Sequence, residues 1–272
     1  MDINSLFAEL HTLPSIPKVV QDLIQQFDNP SSNLESVARN IERDPVISAK
    51  VLRLANSARF RGARESASIE DAAMRLGFNT LRTLVLASGV TGAFKAAPNF
   101  DLKQFWGDSF RVASVSRLLA KQAKLDTDTA FSCGMMHNIG ELLIQTGTPD
   151  LAAKLNARRD GAGRAAEETL QLGFSYPEVG AELARRWNLP PPIQNAIAYQ
   201  ARPSQAPADC PYARILAQAS LICEAITQQG GLSPESRHLF DGPLFEGIDL
   251  DKLFTDLPAV LEADKAFSEM LA

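Results

Sequence analysis

Apolar residues recur along this chain at three- and four-residue intervals from end to end, and no stretch keeps the period-two alternation that a sheet surface needs. The pattern predicts an all-α protein, a multi-helix bundle. Ile3, Leu6, Phe7 and Leu10 form a short stripe. Leu13-Pro14-Ser15-Ile16-Pro17 then interrupts the backbone, and Pro17 suits the first turn of a helix burying Val20, Leu23, Ile24 and Phe27. Ser32 with Glu35 has capping-box spacing, Asp44-Pro45 reads as an N-cap followed by a first-turn proline, and Ser68 with Asp71 repeats the box in looser form. Leu76-Gly77-Phe78 and Leu172-Gly173-Phe174 read as helix ends closed by a left-handed glycine.

Beyond Ala97-Pro98-Asn99 the expected helices lengthen, to residues 101–124 and 127–146, and Arg202 to Pro211 makes a second break before a helix over 211–229. The breaks divide the chain into an N-terminal helical part (1–98), a second bundle (99–202) and a C-terminal helical extension (203–272), which ends in an amphipathic stretch from Leu250 to Ala272.

Composition narrows the functional classes. The 272 residues are 45% hydrophobic and 22% charged, as in ordinary globular proteins, and Leu84 to Phe94, the longest nearly uncharged apolar run, is too short for a bilayer and predicts a buried helix. Met1 to Leu10 carries Asp2 and Glu9 and has no basic n-region, so a cytoplasmic protein with no membrane partner is expected. A net charge of −5 gives no general attraction to phosphate backbones and disfavours nucleic acid. Charge is uneven, however. Arg39, Arg43, Lys50, Arg53, Arg59, Arg61 and Arg64 face only Glu42 and Asp44 in the same segment, a local +5 that leaves −10 for the rest. Arg53, Arg59, Arg61 and Arg64 are therefore the candidate interaction surface, beside the plainer reading of a solvated helical face.

Catalytic motifs are sparse. Three cysteines, Cys133, Cys210 and Cys223, show no CxxC spacing, and His11, His137 and His238 are the only histidines, so an imidazole-rich metal site is excluded by number. Cys133 and His137 stand four apart, but with no third ligand nearby they read as a buried thiol and a structural histidine. Gly161-Ala162-Gly163-Arg164-Ala165-Ala166 carries the letters of a dinucleotide fingerprint without a preceding strand, and reads as a turn between helices. Phe105, Trp106, Phe110, Phe131 and Trp187 read as helix-packing residues.

Several separated stretches together carry a resemblance. Leu13-Pro14-Ser15-Ile16-Pro17, Ile41-Glu42-Arg43-Asp44-Pro45 through Val51-Leu52-Arg53-Leu54-Ala55-Asn56-Ser57, and Ala72-Ala73-Met74-Arg75-Leu76-Gly77 are similar in order and spacing to the N-terminal half of the HDOD family. Phe105-Trp106-Gly107-Asp108-Ser109, Met136-His137-Asn138-Ile139-Gly140, Gly173 through Gly180, and Trp187-Asn188-Leu189-Pro190 resemble its second half, related to the HD metal-dependent phosphohydrolases. The resemblance spans residues 6 to 202 and implies an all-α bacterial signal-transduction domain. It places the HD ligand positions at Asp108, His137 followed by Asn138, Tyr176, and Tyr199-Gln200.

One imidazole remains there. Asn138 lacks the charge of an aspartate, and Tyr176 and Tyr199 are phenols with a pKa of about 10. The six residues are therefore expected to converge as a degenerate pocket without catalytic residues, metal or cofactor, and His137 to be a hydrogen-bonded core residue paired with Asp108. The expected function is a non-catalytic regulatory domain, a pseudoenzyme acting through a signalling protein partner of the cyclic-dinucleotide or phosphorelay kind. The alternatives are a metal-dependent phosphohydrolase or phosphodiesterase with a reorganised site, and a nucleotide-sensing module.

Overall fold

The computed structural model describes residues 2–9, 16–27, 29, 31–57, 60, 64–94, 100–148 and 161–271, and among them there is no strand. The all-α class expected from the periodicity is the class observed. The chain groups into two compact units, one of Pro14–Phe94 with Trp187–Leu189 and Ala266–Ala272, the other of Met1–Leu13, Lys95–Arg186 and Pro190–Lys265. The border expected near residue 98 lies outside the described residues, while residues 190–265 belong to one unit.

In the first unit, α2 (Lys18–Phe27), α3 (Leu34–Ile41) and α4 (Pro45–Ala55) pack on α5 (Ile69–Ala93); α1 (Ile3–Glu9) belongs to the second unit. The stripe Val20, Leu23, Ile24 and Phe27 is buried as expected, against a core that includes Leu81, Leu84, Val85 and Val90 of α5. Side chains decide where these short helices begin. Asp44 accepts hydrogen bonds from the Val46 and Ile47 N–H groups, and Ser68 accepts one from Asp71. Asn33, not Ser32, caps α3: its side chain accepts the Ser36 N–H, so the helix starts one residue later than the capping-box spacing implied. Gly77 has φ +77° and ψ 166°, which kinks α5 in extended backbone with positive φ rather than closing a helix in the left-handed region. Asn56 pairs with both backbone groups of Ser66, accepting its N–H at 2.7 Å and donating to its carbonyl at 3.0 Å, and so draws together the ends of the segment that carries the basic residues.

The second unit contains α6 (Leu102–Gln122), α7 (Thr127–Met136), α8 (Ile139–Gly147), α9 (Gly161–Leu172), α10 (Tyr176–Arg186), α11 (Pro191–Tyr199), α12 (Tyr212–Gln229) and, up to Lys265, α13 (Leu250–Leu271). The helix expected over 127–146 is two helices, broken at His137-Asn138, where Asn138 has φ −107° and ψ 15° and offers no side-chain cap. Helix α9 includes the whole Gly161-Ala162-Gly163 stretch, so the fingerprint letters lie in a first helical turn rather than between helices, and the preceding residues 149–160 lie outside the described residues. All five aromatic residues expected in the packing are buried, with Phe110 and Phe131 edge to face at 5.3 Å. Cys133, Cys210 and Cys223 are buried free thiols.

Candidate functional site

Close backbone approach builds the site. A Cβ on Gly140 would fall 2.0 Å from the Tyr176 carbonyl oxygen and 2.5 Å from the Gly180 nitrogen, so only glycine lets α8 reach the start of α10. Gly134 is equally tight against the Ala113 backbone, at 2.3 Å, which presses α7 onto α6. Between these two glycines the chain turns at His137-Asn138, a break with backbone packed on either side.

His137 is 5% exposed, and its Nδ1 lies 2.7 Å from the Gly134 carbonyl. A carbonyl only accepts, so Nδ1 carries the proton and Nε2 holds the lone pair. Burial pushes the imidazole pKa down to about 4, against the smaller upward pull of that hydrogen bond, so the ring is neutral near pH 7. Gln200 reaches back across 63 residues to donate to the His137 carbonyl at 2.7 Å, with Ile197 O as a second acceptor at 3.1 Å. These bonds bring His137 and Gln200 together. Asn138 and Tyr199, next to them in sequence, are half-buried.

Asp108 makes no hydrogen bond or ion pair with His137. Its carboxyl is 52% exposed and pairs with Arg111 at 3.2 Å, so the expected His137–Asp108 pair is not formed: each group has its partner within one turn of its own chain segment. Partial burial raises the Asp108 pKa; Arg111 opposes this, and the negative fields of Asp101 and Glu141 add to it.

Glu141 introduces a cluster that sequence reasoning missed. Arg164 on α9 donates through Nη1 to Glu141 at 2.9 Å and through Nε to Glu168 at 2.7 Å, and its guanidinium carbon sits 4.9 Å from the Tyr176 ring centroid. The second Glu168 oxygen accepts the Tyr176 N–H at 2.6 Å, at the start of α10. Burial works against the Arg164 charge, and Glu141 and Glu168 outweigh it, holding its pKa above the ordinary arginine value. The i, i+4 spacing of Arg164 and Glu168 was visible in sequence; the convergence with Glu141 and Tyr176 was not. Among the described residues, no three His, Cys, Asp or Glu side chains are grouped so as to hold a metal ion.

The candidate interaction surface belongs to the first unit. Arg53 is exposed, Arg64 is 84% exposed with Asp71 at 3.9 Å, and Arg59 and Arg61 lie outside the described residues. Lys50 is half-buried, and its pKa is lowered by that burial and by Arg53, with Asp44 opposing. Arg75, unmarked in the sequence reading, buries one terminal nitrogen with no hydrogen-bond partner.

This geometry defines an all-α protein of the HD-related helical class. Residues 13–203 match the HDOD domain model, and the chain belongs to the HDOD family. A candidate phosphohydrolase of Shewanella amazonensis SB2B is similar over 98% of each chain, at 36% identity and a TM-score of 0.82. An HDOD domain protein of Geobacter sulfurreducens shares the fold at 22% identity and a TM-score of 0.80, over 99% of this chain and 97% of that one. A candidate signal-transduction protein of Marinobacter aquaeolei VT8 shares it at 23% identity and 0.76, over 95% of this chain and 60% of its own. An uncharacterized protein of Treponema pallidum (strain Nichols) is 28% identical over 209 residues, and the chain spans 40% of the length of that curated relative. No described helix is long and apolar enough to cross a membrane.

Proposed function

We propose that this HDOD chain is a non-catalytic regulatory domain of bacterial signal transduction, which acts in the cytoplasm through a protein partner docked on its basic segment. The observation that carries the reading is His137, the one imidazole at the carried-over ligand positions, neutral and buried with its neighbours spent on structure. Gln200 serves the His137 backbone, Glu168 serves Arg164 and the Tyr176 N–H, and Asn138 supplies no anionic oxygen. A divalent cation that acidifies water needs neutral imidazoles and carboxylates converging on it, and the residues present do not fit that demand. For the partner, the exposed Arg53 and Arg64 supply donors suited to carboxylates.

A metal-dependent phosphohydrolase is the second reading. It is favoured by the whole-length similarity to the Shewanella amazonensis protein and by the unprotonated Nε2 that the Gly134 hydrogen bond imposes on His137. One experiment separates the two. Purified protein assayed for metal content, and for hydrolysis of phosphodiesters and cyclic dinucleotides with added manganese or iron, should show neither stoichiometric metal nor turnover. About one bound metal per chain, with turnover abolished by His137→Ala, would establish the enzyme instead.

A further inference from the structure

We infer that Arg164 is the resident cation of the candidate site: its guanidinium neutralises Glu141 and Glu168 beside Tyr176, and so lets this part of the bundle stand without a metal. The inference rests on the non-catalytic reading. Three helices converge on the one side chain, since Glu141 belongs to α8, Arg164 and Glu168 to α9, and Tyr176 opens α10. Side-chain exposure is 13% for Arg164, 16% for Glu141 and 2% for Glu168, so water screens these charges little.

Both oxygens of Glu168 are engaged, one by Arg164 and the other by the Tyr176 N–H. The Tyr176 N–H lies at the positive end of α10, a place suited to a carboxylate, and a buried carboxylate calls for a counter-charge. Glu141 brings a second negative charge whose field reaches Asp108. A planar fork can serve two carboxylates in fixed directions while its face lies on an aromatic ring, which a point-like ammonium cannot do. Arg164 thus stands against the position carried over to Tyr176, and its ion-pair partner Glu141 lies in the field of the position carried over to Asp108. A divalent cation would have to displace the guanidinium to use these carboxylates.

The test removes the resident cation and offers a replacement. Full-length R164Q should melt roughly 5–10 °C below the parent, because it leaves buried carboxylates uncompensated. Millimolar Mn²⁺ should restore at least half of that loss, and electron paramagnetic resonance should find one bound Mn²⁺ per chain in R164Q and none in the parent. E141Q/R164Q should lose the Mn²⁺ response, having lost one of the two carboxylates. R164K, which neutralises but cannot bridge, should fall between parent and R164Q, and serves as the folded variant if R164Q does not accumulate. An R164Q protein as stable as the parent, an R164K protein equal to the parent, or a melting loss indifferent to Mn²⁺ would each overturn the inference and leave the non-catalytic reading standing. Phosphodiesterase turnover in the parent would end that reading whatever R164Q does.

Discussion

In the unit of residues 95–186 and 190–265, two arginines turn inward: Arg164 sits between Glu141 and Glu168, and Arg117 reaches the buried Asp128 at 3.3 Å while lying 4.2 Å from the Phe131 ring centroid. In the unit of residues 14–94 the ion-paired arginines Arg39 and Arg64 lie at the surface, Arg39 with a similarly exposed Glu35 and Arg64 only loosely near Asp71. The difference matters because the same residue type has different consequences in the two places. Breaking a buried pair strands a charge at a cost of about 3–5 kcal/mol, whereas exposed pairs contribute about 0–1 kcal/mol. The two inward arginines therefore hold shape, whereas the surface pairs of the other unit contribute little to it.

Backbone packing should break the comparison most visibly. Gly140→Ala places a methyl group 2.0 Å from the Tyr176 carbonyl oxygen, and backbone cannot swing aside as a side chain can, so a loss of about 3 kcal/mol or more is expected. Gly92→Ala in α5 of the other unit meets nothing within 4 Å, sits in an exposed helical position, and should gain about 0.5–1 kcal/mol. Thermal unfolding of the two variants is the check. Equal effects would mean that α8 and α10 can separate without cost.

The pH response is the next largest effect and belongs to the inward-turned unit. His137 takes a proton at about pH 4 when folded and near 6.5 when unfolded. Above pH 6.5 both states are neutral there and nothing is lost. As pH falls from 6.5 to 4 the unfolded state binds the proton first, so stability declines, and below about 4 the decline from this group ends. At about 1.4 kcal/mol per pH unit the whole window is worth about 3.5 kcal/mol at most. His137→Asn, whose amide can still donate to the Gly134 carbonyl, should flatten the urea-unfolding profile between pH 4 and 6.5. An unchanged slope would remove His137 as its source.

How much of this was legible differs between the two regions. Helix starts in the first unit follow from local chemistry, so Asp44-Pro45 and Ser68 could be read directly, although Asn33 displaced Ser32 because adjacent residues offer equivalent acceptors. In the second unit the decisive events are long-range. Periodicity carried the helix of 127–146 straight through His137-Asn138, since nothing local announces that Gly134 and Gly140 are pressed against other backbones. The ligand positions were placed by resemblance, and the Gln200 bond to His137 joins two of them. Glu141 and Arg164 were invisible because a convergence of separate helices leaves no spacing to count, and the His137–Asp108 pair failed because Arg111 lies one turn from Asp108.

The smallest effect on stability should carry the largest effect on recognition. Arg53 and Arg64 are exposed, and exposed charge interactions contribute about 0–1 kcal/mol, so R53E/R64E should keep its helical circular dichroism and melt within about 4 °C of the parent. Against a partner isolated on the parent protein, reversing two charges removes two attractions and adds two repulsions. Association should therefore slow by an order of magnitude or more at low salt. The gap should close as the Debye length shrinks from about 10 Å at 0.1 M salt to about 3 Å at 1 M, because steering acts on the encounter rather than on dissociation. Random duplex DNA is the control, since a nonspecific polyanion binder would show the same salt trend without preferring the partner. Association with the partner that is unchanged in R53E/R64E would move the interaction off this unit, and parent binding to DNA as tight as to the partner would replace the protein partner with a nucleic acid.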